Sequence, residues 1–327
     1  MKLSIVTPGY NEAGNIEELC RQIREAIAIY PSLELEHIYI DNASTDDSVD
    51  ILRKLSASDP TLKVIVNSRN FGHIRSPYHA ILQATGDAVV LMASDLQDPP
   101  MMLRNFIDAW LTKRAPICIA VKRSSEESFL MFNLRKLYYR LLAKVSDSPQ
   151  IQNFTGFGLY DRKVVDQMKR FKDPYPFFRG IVAEIGFDRV EFPFDQPLRK
   201  RGFTKNNFLT LYDIGMLGII CYSKLPLRLA SFVGMGVACL SLLSGFGYLI
   251  YKLLFWNDFQ VGMAPMVIGI FFVGAVQLLF LGIVGEYVAG IYTQVKDRPL
   301  VIERERINFD VEVDSGSGNV TRLVASR

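Results

Sequence analysis

The sequence predicts an α/β nucleotide-binding layer followed by two membrane-spanning helices, and three observations predict it. Short apolar runs alternate with helix-length amphipathic segments over residues 3–121. Several of these runs end in a cluster of oxygen-bearing side chains, where open α/β sheets bind ligands. The apolar excess is also uneven: mean hydropathy is +0.15 over 327 residues, and the surplus lies between Leu225 and Tyr292.

The elements follow in order. A strand over 3–8 leads into the loop Gly9-Tyr-Asn-Glu-Ala-Gly14, and Asn15-Ile-Glu-Glu18 offers N-cap and N3 residues for a helix to about residue 30. A second strand over 35–40 ends in Asp41-Asn-Ala-Ser-Thr-Asp46, with Ser44 or Asp46 placed to cap a helix to about residue 55. A third strand over 62–66 precedes Arg69-Asn-Phe-Gly-His73 and a helix to about residue 84. The fourth strand, 89–92, is the central one. It ends in Ser94, Asp95, Gln97 and Asp98, and Pro99-Pro100 then starts a helix over 101–112 before a fifth strand at 117–121. Strands alternating with helices of this length predict a parallel sheet with right-handed crossovers. Asp95 and Gln97 carry hard oxygens two residues apart, the ligands that Mg²⁺ or Mn²⁺ takes beside a substrate's phosphates. A polar turn with a helix cap fits the same residues.

Beyond the fifth strand the spacing predicts a basic, aromatic-rich amphipathic helix over 129–144, a dense basic loop at 199–205 and an interfacial helix over 207–222. Two uncharged apolar stretches, 229–251 and 261–285, are each long enough to span a bilayer. Basic residues flank both outer ends, which by the positive-inside rule puts both termini in the cytoplasm and the protein in the inner (cytoplasmic) membrane. The expected organisation is a catalytic domain at 1–206, a juxtamembrane amphipathic helix at 207–226, two transmembrane helices within 227–292, and a C-terminal tail at 293–327. Met1-Lys2-Leu3-Ser4 leads straight into a strand, so no signal peptide is expected. A net charge of +3 is too small to argue for nucleic acid, and the four cysteines lack metal-like spacing.

The motifs Ser4-Ile-Val-Thr-Pro-Gly-Tyr-Asn-Glu12, Asp41-Asn-Ala-Ser-Thr-Asp46, Arg69-Asn-Phe-Gly72 and Asp95-Leu-Gln-Asp-Pro-Pro100 stand in order at successive strand ends. Together they resemble the inverting family 2 glycosyltransferases of GT-A fold. Gly285-Glu-Tyr287 and Val295-Lys-Asp-Arg-Pro-Leu300, placed after two membrane spans, are similar to the polyprenyl-phosphate branch, which includes bactoprenol glucosyltransferases and dolichol-phosphate mannose synthases. The resemblance implies transfer of one sugar from a nucleotide diphosphate sugar, UDP-glucose first among them, to undecaprenyl or another polyprenyl phosphate. It places the nucleotide against Pro8, Tyr10, Asn11, Glu12 and Asp41, and a divalent metal at Asp95 and Gln97. Arg123, Arg135 and Lys205 match basic residues that grip the acceptor phosphate and donor diphosphate, and Asp95 and Arg123 are the catalytic candidates. The family also implies a homo-oligomer, a tetramer, in contact with the lipid bilayer.

Two positions depart from the family pattern. Ala93 replaces the first Asp of the usual Asp-x-Asp, and Phe157, in Gly156-Phe-Gly-Leu159, replaces a carboxylate that is the commonest candidate base. His73 and His79 do not obviously take its place. A phosphate monoester, with a second pKa near ~6, is already anionic at neutral pH and needs no protein base, whereas a sugar hydroxyl does. The missing carboxylates therefore suit a phosphate acceptor. They suit equally a catalytically silent homologue that binds nucleotide or lipid as a membrane scaffold or regulator.

Overall fold

The structure, a computed structural model, describes residues 1–123, 151, 153–197, 225–255, 263–296 and 298–309. Its first half is built by the expected alternation. Strand β1 (Lys2–Gly9), helix α1 (Ala13–Ile27), β2 (Glu34–Asp41), α2 (Ser48–Ser58), β3 (Leu62–Asn67), α3 (Gly72–Gln83), β4 (Ala88–Leu91), α4 (Met102–Lys113) and β5 (Ile117–Lys122) follow one another. Period-two alternation sends Leu3, Ile5, Tyr39, Val64 and Val90 to the face covered by α1, α2 and α4. It sends Val6, Ile38, Ile40, Ile65 and Val89 to the face covered by α3. Each such side chain is fully buried, worth roughly 1.5–3 kcal/mol against exposure.

Strands β1, β2, β3 and β4 pair in parallel in the order β3-β2-β1-β4. The chain therefore winds one way from β1 to β3 and then crosses back to lay β4 on the other side of β1. The carboxyl ends of β1 and β4 thus stand side by side, and the loops that leave them border the candidate crevice, at the end of the sheet where open α/β folds take ligands.

The sheet is parallel-rich, as expected, with antiparallel additions. Strand β6 (Phe154–Asp161) inserts antiparallel between β4 and β5, and β7 (Arg189–Phe194) extends the sheet parallel to β5. Two glycines lower the strand propensity of β6 and hide it from a pattern search. Gly158 is needed there, because a Cβ would stand 2.5 Å from the Cys118 carbonyl oxygen of β5. Short helices α5 (Arg162–Met168) and α6 (Phe178–Ile185) pack Val164, Val165, Ile181 and Val182 on the α3 face.

Helix α1 starts at Ala13 rather than after Asn15, with Glu12 as its N-cap. Asn15 lies in the first turn and donates its amide to the Glu12 carboxylate at 2.6 Å. The amphipathic helix expected over 129–144, the basic loop at 199–205, the helix over 207–222 and the tail after 310 lie outside the described residues.

Helices α7 (Leu225–Leu254) and α8 (Met263–Val295) match the two apolar stretches. At 1.5 Å per residue they run about 45 Å, beyond the ~30 Å of a bilayer's hydrocarbon core. Phe232, Leu240, Leu243, Leu278 and Leu281 stand exposed along them, so the apolar surface is not spent on a protein core. By length and composition both helices can cross a membrane. The chain then returns to the sheet: β8 (Glu303–Ile307) pairs antiparallel with β3, forming the edge. The sequence Glu-Arg-Glu-Arg-Ile has no apolar alternation, as expected of a charged edge strand, and reads as tail without its neighbour.

At the end of the sheet away from the crevice, Glu36 is buried in a closed polar cluster. It accepts from Lys63 at 2.8 Å, Ser4 at 2.5 Å and the Thr85 hydroxyl and N–H at 2.8 and 2.9 Å. Burial alone would push this carboxyl up, but those donors outweigh it and hold it at about 2. Its folded pKa thus lies below the unfolded one, so the stabilisation is present above about 4.5 and is lost as pH falls toward 2. Glu36→Gln should cost about 2 kcal/mol at pH 7 in urea unfolding of the detergent-solubilised protein, and the gap to the parent should narrow below pH ~4.5.

Candidate active site

The loops after β1 and β2 are stitched to each other before any ligand arrives. Asn11, at the left-handed φ of 57°, donates its N–H to Ser44 Oγ at 2.9 Å and accepts the Thr45 N–H at 2.8 Å. Asp46 accepts the N–H groups of Ala13 at 3.2 Å and Ser48 at 3.1 Å, and Ser48 Oγ accepts from Glu12 N–H at 3.1 Å. The N-cap of α2 is Asp47 rather than Ser44 or Asp46, and Asp46 instead ties the first residue of α2 to the start of α1. Beneath these loops Asp41 is fully buried, with Ser44 donating its hydroxyl to Oδ1 and its N–H to Oδ2. Burial raises the Asp41 pKa against those two bonds.

Asn42, the next residue, extends the frame to β3. Its amide donates to Asn70 Oδ1 at 2.8 Å, and its oxygen accepts from Asn67 Nδ2 and from Phe71 N–H. Asn67 in turn donates to Ser76 Oγ at 3.0 Å. Sequence reading named Asp41 and passed over Asn42; the signal available was a second polar residue directly after a buried strand.

The Tyr39 ring is buried under the same place, and a Cβ on Gly9 would overlap its hydroxyl. Burial raises this phenol, with Asp41 and Glu12 adding to the rise and Ser94 opposing it. Those three neighbours come from the ends of β2, β1 and β4. The structure therefore brings together Pro8, Tyr10, Asn11, Glu12 and Asp41 with the loop after β4.

That last loop has a fixed shape. Leu96 takes φ 60°, Gln97 N–H donates to Asp95 Oδ1 at 3.1 Å, and Ala93 N–H donates to Asp98 Oδ2 at 2.8 Å. Asp95 and Gln97 are part-exposed, whereas Asp98 is buried. Burial, with help from Asp95, pushes Asp98 up to about 7 against the Ala93 N–H and Lys122. Gln97 Nε2 donates to the Pro197 carbonyl at 3.3 Å, so the loop after β4 touches the chain leading into the basic loop. Among the described residues no cluster of three His, Cys, Asp or Glu could hold a metal. One carboxylate and one amide oxygen are nevertheless what a hard cation needs from the protein when phosphates and water supply the rest. The donor set fits Mg²⁺ or Mn²⁺ on those terms.

The remaining candidates are less gathered. Arg123 follows β5, is exposed, and lies 3.6 Å from Asp195. Arg135 and Lys205 lie outside the described residues. His73 is exposed in the first turn of α3, its pKa lowered by burial of the ring and by Arg179. His79 is bound to Glu303 at 2.6 Å, on the flank of the sheet. Phe157 is buried. Its ring packs in the core with centroids 5.1 Å from Phe106 and 6.1 Å from Phe194. The alternation of β6 turns the Phe157 side chain toward apolar neighbours, at the position where the family pattern has a carboxylate.

Comparison with known proteins agrees with this architecture. The family model for glycosyl transferase family 2 matches residues 4–169, which run from β1 through α5 and include the loops after β1, β2, β3 and β4. An uncharacterized glycosyltransferase of Bacillus subtilis, YkcC, is 34% identical over 315 residues, covering 95% of each chain. The SfII prophage-derived bactoprenol glucosyl transferase of Shigella flexneri is 32% identical over 304 residues, covering 92% of this chain and 97% of its own. Among solved structures, a mannosyltransferase from Pyrobaculum calidifontis in complex with GDP-Man and Mn²⁺ aligns over 90% of this chain and 86% of its own at 16% identity, with a TM-score of 0.44. The chain belongs to glycosyl transferase family 2 and is a glycosyltransferase.

Proposed function

We propose that this enzyme transfers one sugar from a nucleotide diphosphate sugar to a polyprenyl phosphate at the cytoplasmic face of a membrane. The observation that carries the reading is the crevice at β1 and β4, where Asp41, Glu12 and the Asp95–Gln97 loop converge, in a chain with two helices able to cross a bilayer. The bactoprenol glucosyl transferase relative supports a lipid phosphate as acceptor and glucose as the first sugar to test.

On this reading Pro8, Tyr10, Asn11, Glu12 and Asp41 hold the nucleotide in a frame that their own hydrogen bonds set in advance, which lowers the ordering cost of binding. Asp95 and Gln97 hold the cation, which when bound neutralises charge on the leaving diphosphate. Arg123, Arg135 and Lys205 orient the acceptor phosphate. An acceptor oxygen forms its bond to the anomeric carbon as the bond to the diphosphate breaks, from the opposite side, and the configuration inverts. No proton must leave the nucleophile, because the phosphate is already ionised.

Three outcomes test this. Asp95→Asn keeps the side-chain volume and removes the charge facing the cation. Lipid-linked product formed from UDP-glucose, polyprenyl phosphate and Mn²⁺ should drop by two orders of magnitude or more, about 3 kcal/mol in the barrier, and a chelator should do the same to the parent. Nucleotide binding without turnover in the parent would favour the silent homologue instead.

With acceptor limiting and metal saturating, the rate should rise with pH around ~6, that of a phosphate monoester, and polyprenol should fail as acceptor. Asp98, held at about 7, is one protein group among the described residues able to imitate that limb. The limb should therefore survive Asp98→Asn, and efficient transfer to polyprenol would mean a base operates here.

Cysteine introduced at 257–260 should be labelled from outside sealed cells, and cysteine at either terminus should not. The opposite pattern would invert the topology.

A further inference from the structure

The segment that follows the second apolar helix plays no part in the reading above, yet it ends beside the nucleotide frame. Asp41 of β2 is in register with Val66 of β3, and Val66 with Glu305 of β8. Two strand spacings, about 10 Å, therefore separate Asp41 from the β8 backbone. The pairing slips at this point: Asn67 is opposite Glu303 and Val66 opposite Glu305, so Arg304 is the extra residue of a bulge. A bulge re-aims the side chain it carries. The strand's approach is fixed from above by Ser68 N–H, which donates to the Ile302 carbonyl at 2.9 Å.

The neighbours of Arg304 are all engaged. Glu303 is taken by His79 and Arg306, Glu305 by Arg53 at 2.7 Å, and Arg306 also reaches Gln83 at 2.9 Å. Arg304 is exposed and makes no hydrogen bond or salt bridge to another described residue. Its charge is felt at Asp41, whose carboxylate oxygens are already held by Ser44. Arg304 thus lies two strands from the buried carboxylate of the frame, with no hydrogen bond from its guanidinium to another described residue.

We propose that Arg304 is a further donor-binding residue, giving its N–H groups to an acceptor oxygen of the nucleotide held at Asp41. The pocket is then completed by chain that has already passed through both apolar helices. This rests on the reading of Asp41 as a nucleotide residue. A fork of planar donors suits a base carbonyl or a phosphate equally, and both belong to the same ligand.

The test is calorimetric titration of the full-length, detergent-solubilised protein with uridine, UMP and UDP in Mn²⁺. Arg304→Gln should weaken UDP binding about tenfold or more, and Arg304→Lys less. A loss already seen with uridine locates the contact at the base; a loss seen only with UMP and UDP locates it at phosphate. Arg306→Gln, which loosens the same strand at Gln83, should leave UDP affinity unchanged. Equal losses in Arg304→Gln and Arg306→Gln would mean that undocking of β8 is responsible, and would overturn the proposal. Parent affinity in Arg304→Gln, together with loss in Asp41→Asn, would overturn it while sparing the donor reading. No UDP binding by the parent, or parent affinity in Asp41→Asn, would sink the donor reading and this inference with it.

Discussion

The hydrogen bonds between the first two βα loops are the constraint on which the rest of the site depends. Asn11 sits at a φ of 57°, a region that asparagine tolerates better than most residues, and its side chain and backbone are both tied to the loop after β2. Asp46 and Ser48 then set where α1 can begin. Because the two loops are fixed to each other, the buried Asp41 carboxylate has a fixed roof, and Gly9 must leave room for the Tyr39 hydroxyl below. A site assembled this way does not have to order itself around a ligand.

The opposite choice is made at the end of β4. The Ala93–Asp98 loop gets its shape from its own side chains, with Asp98 turned inward to the Ala93 N–H and Asp95 and Gln97 left part-exposed. Ala93 is where the family pattern has a carboxylate, yet its backbone N–H still anchors the loop. Losing that carboxylate therefore removes charge from the crevice without removing the geometry that presents Asp95. On the proposed reading a cation at this loop would meet one protein carboxylate instead of two, which would leave more of its coordination to substrate oxygens and water.

Much of this was legible in the sequence. Five strands, the four helices between them and their polar ends could be read because buried strands and amphipathic helices differ in period. The apolar stretches of α7 and α8 were equally plain. What could not be read were features that exist only through a neighbour in space. Strand β6 carries two glycines because β5 comes too close at Gly158, and β8 is a run of alternating charge that becomes a strand only against β3. The meaning of Phe157 was hidden for the same reason. Its type suggests a lost carboxylate in an aligned motif, and only the alternation of β6 reveals that its ring belongs among Phe106 and Phe194.

The return of the chain to the sheet after α8 has a mechanical consequence. A catalytic layer joined to two apolar helices at one point could swing about that point. Here the layer continues into α7 through one segment and receives β8 from the far side of α8, so it is attached at both ends of the hairpin. His79 with Glu303, Arg53 with Glu305, and Asn308 on three backbone carbonyls fasten the second attachment. Each exposed pair is worth little alone, but a five-residue strand with its ladder and these clamps must open together before the sheet edge is free. On the proposed function a soluble nucleotide and a lipid-bound phosphate would meet in one crevice, and a layer held at both ends of the hairpin would tilt less while they do. The sheet edge and the active-site crevice are thereby parts of one restraint.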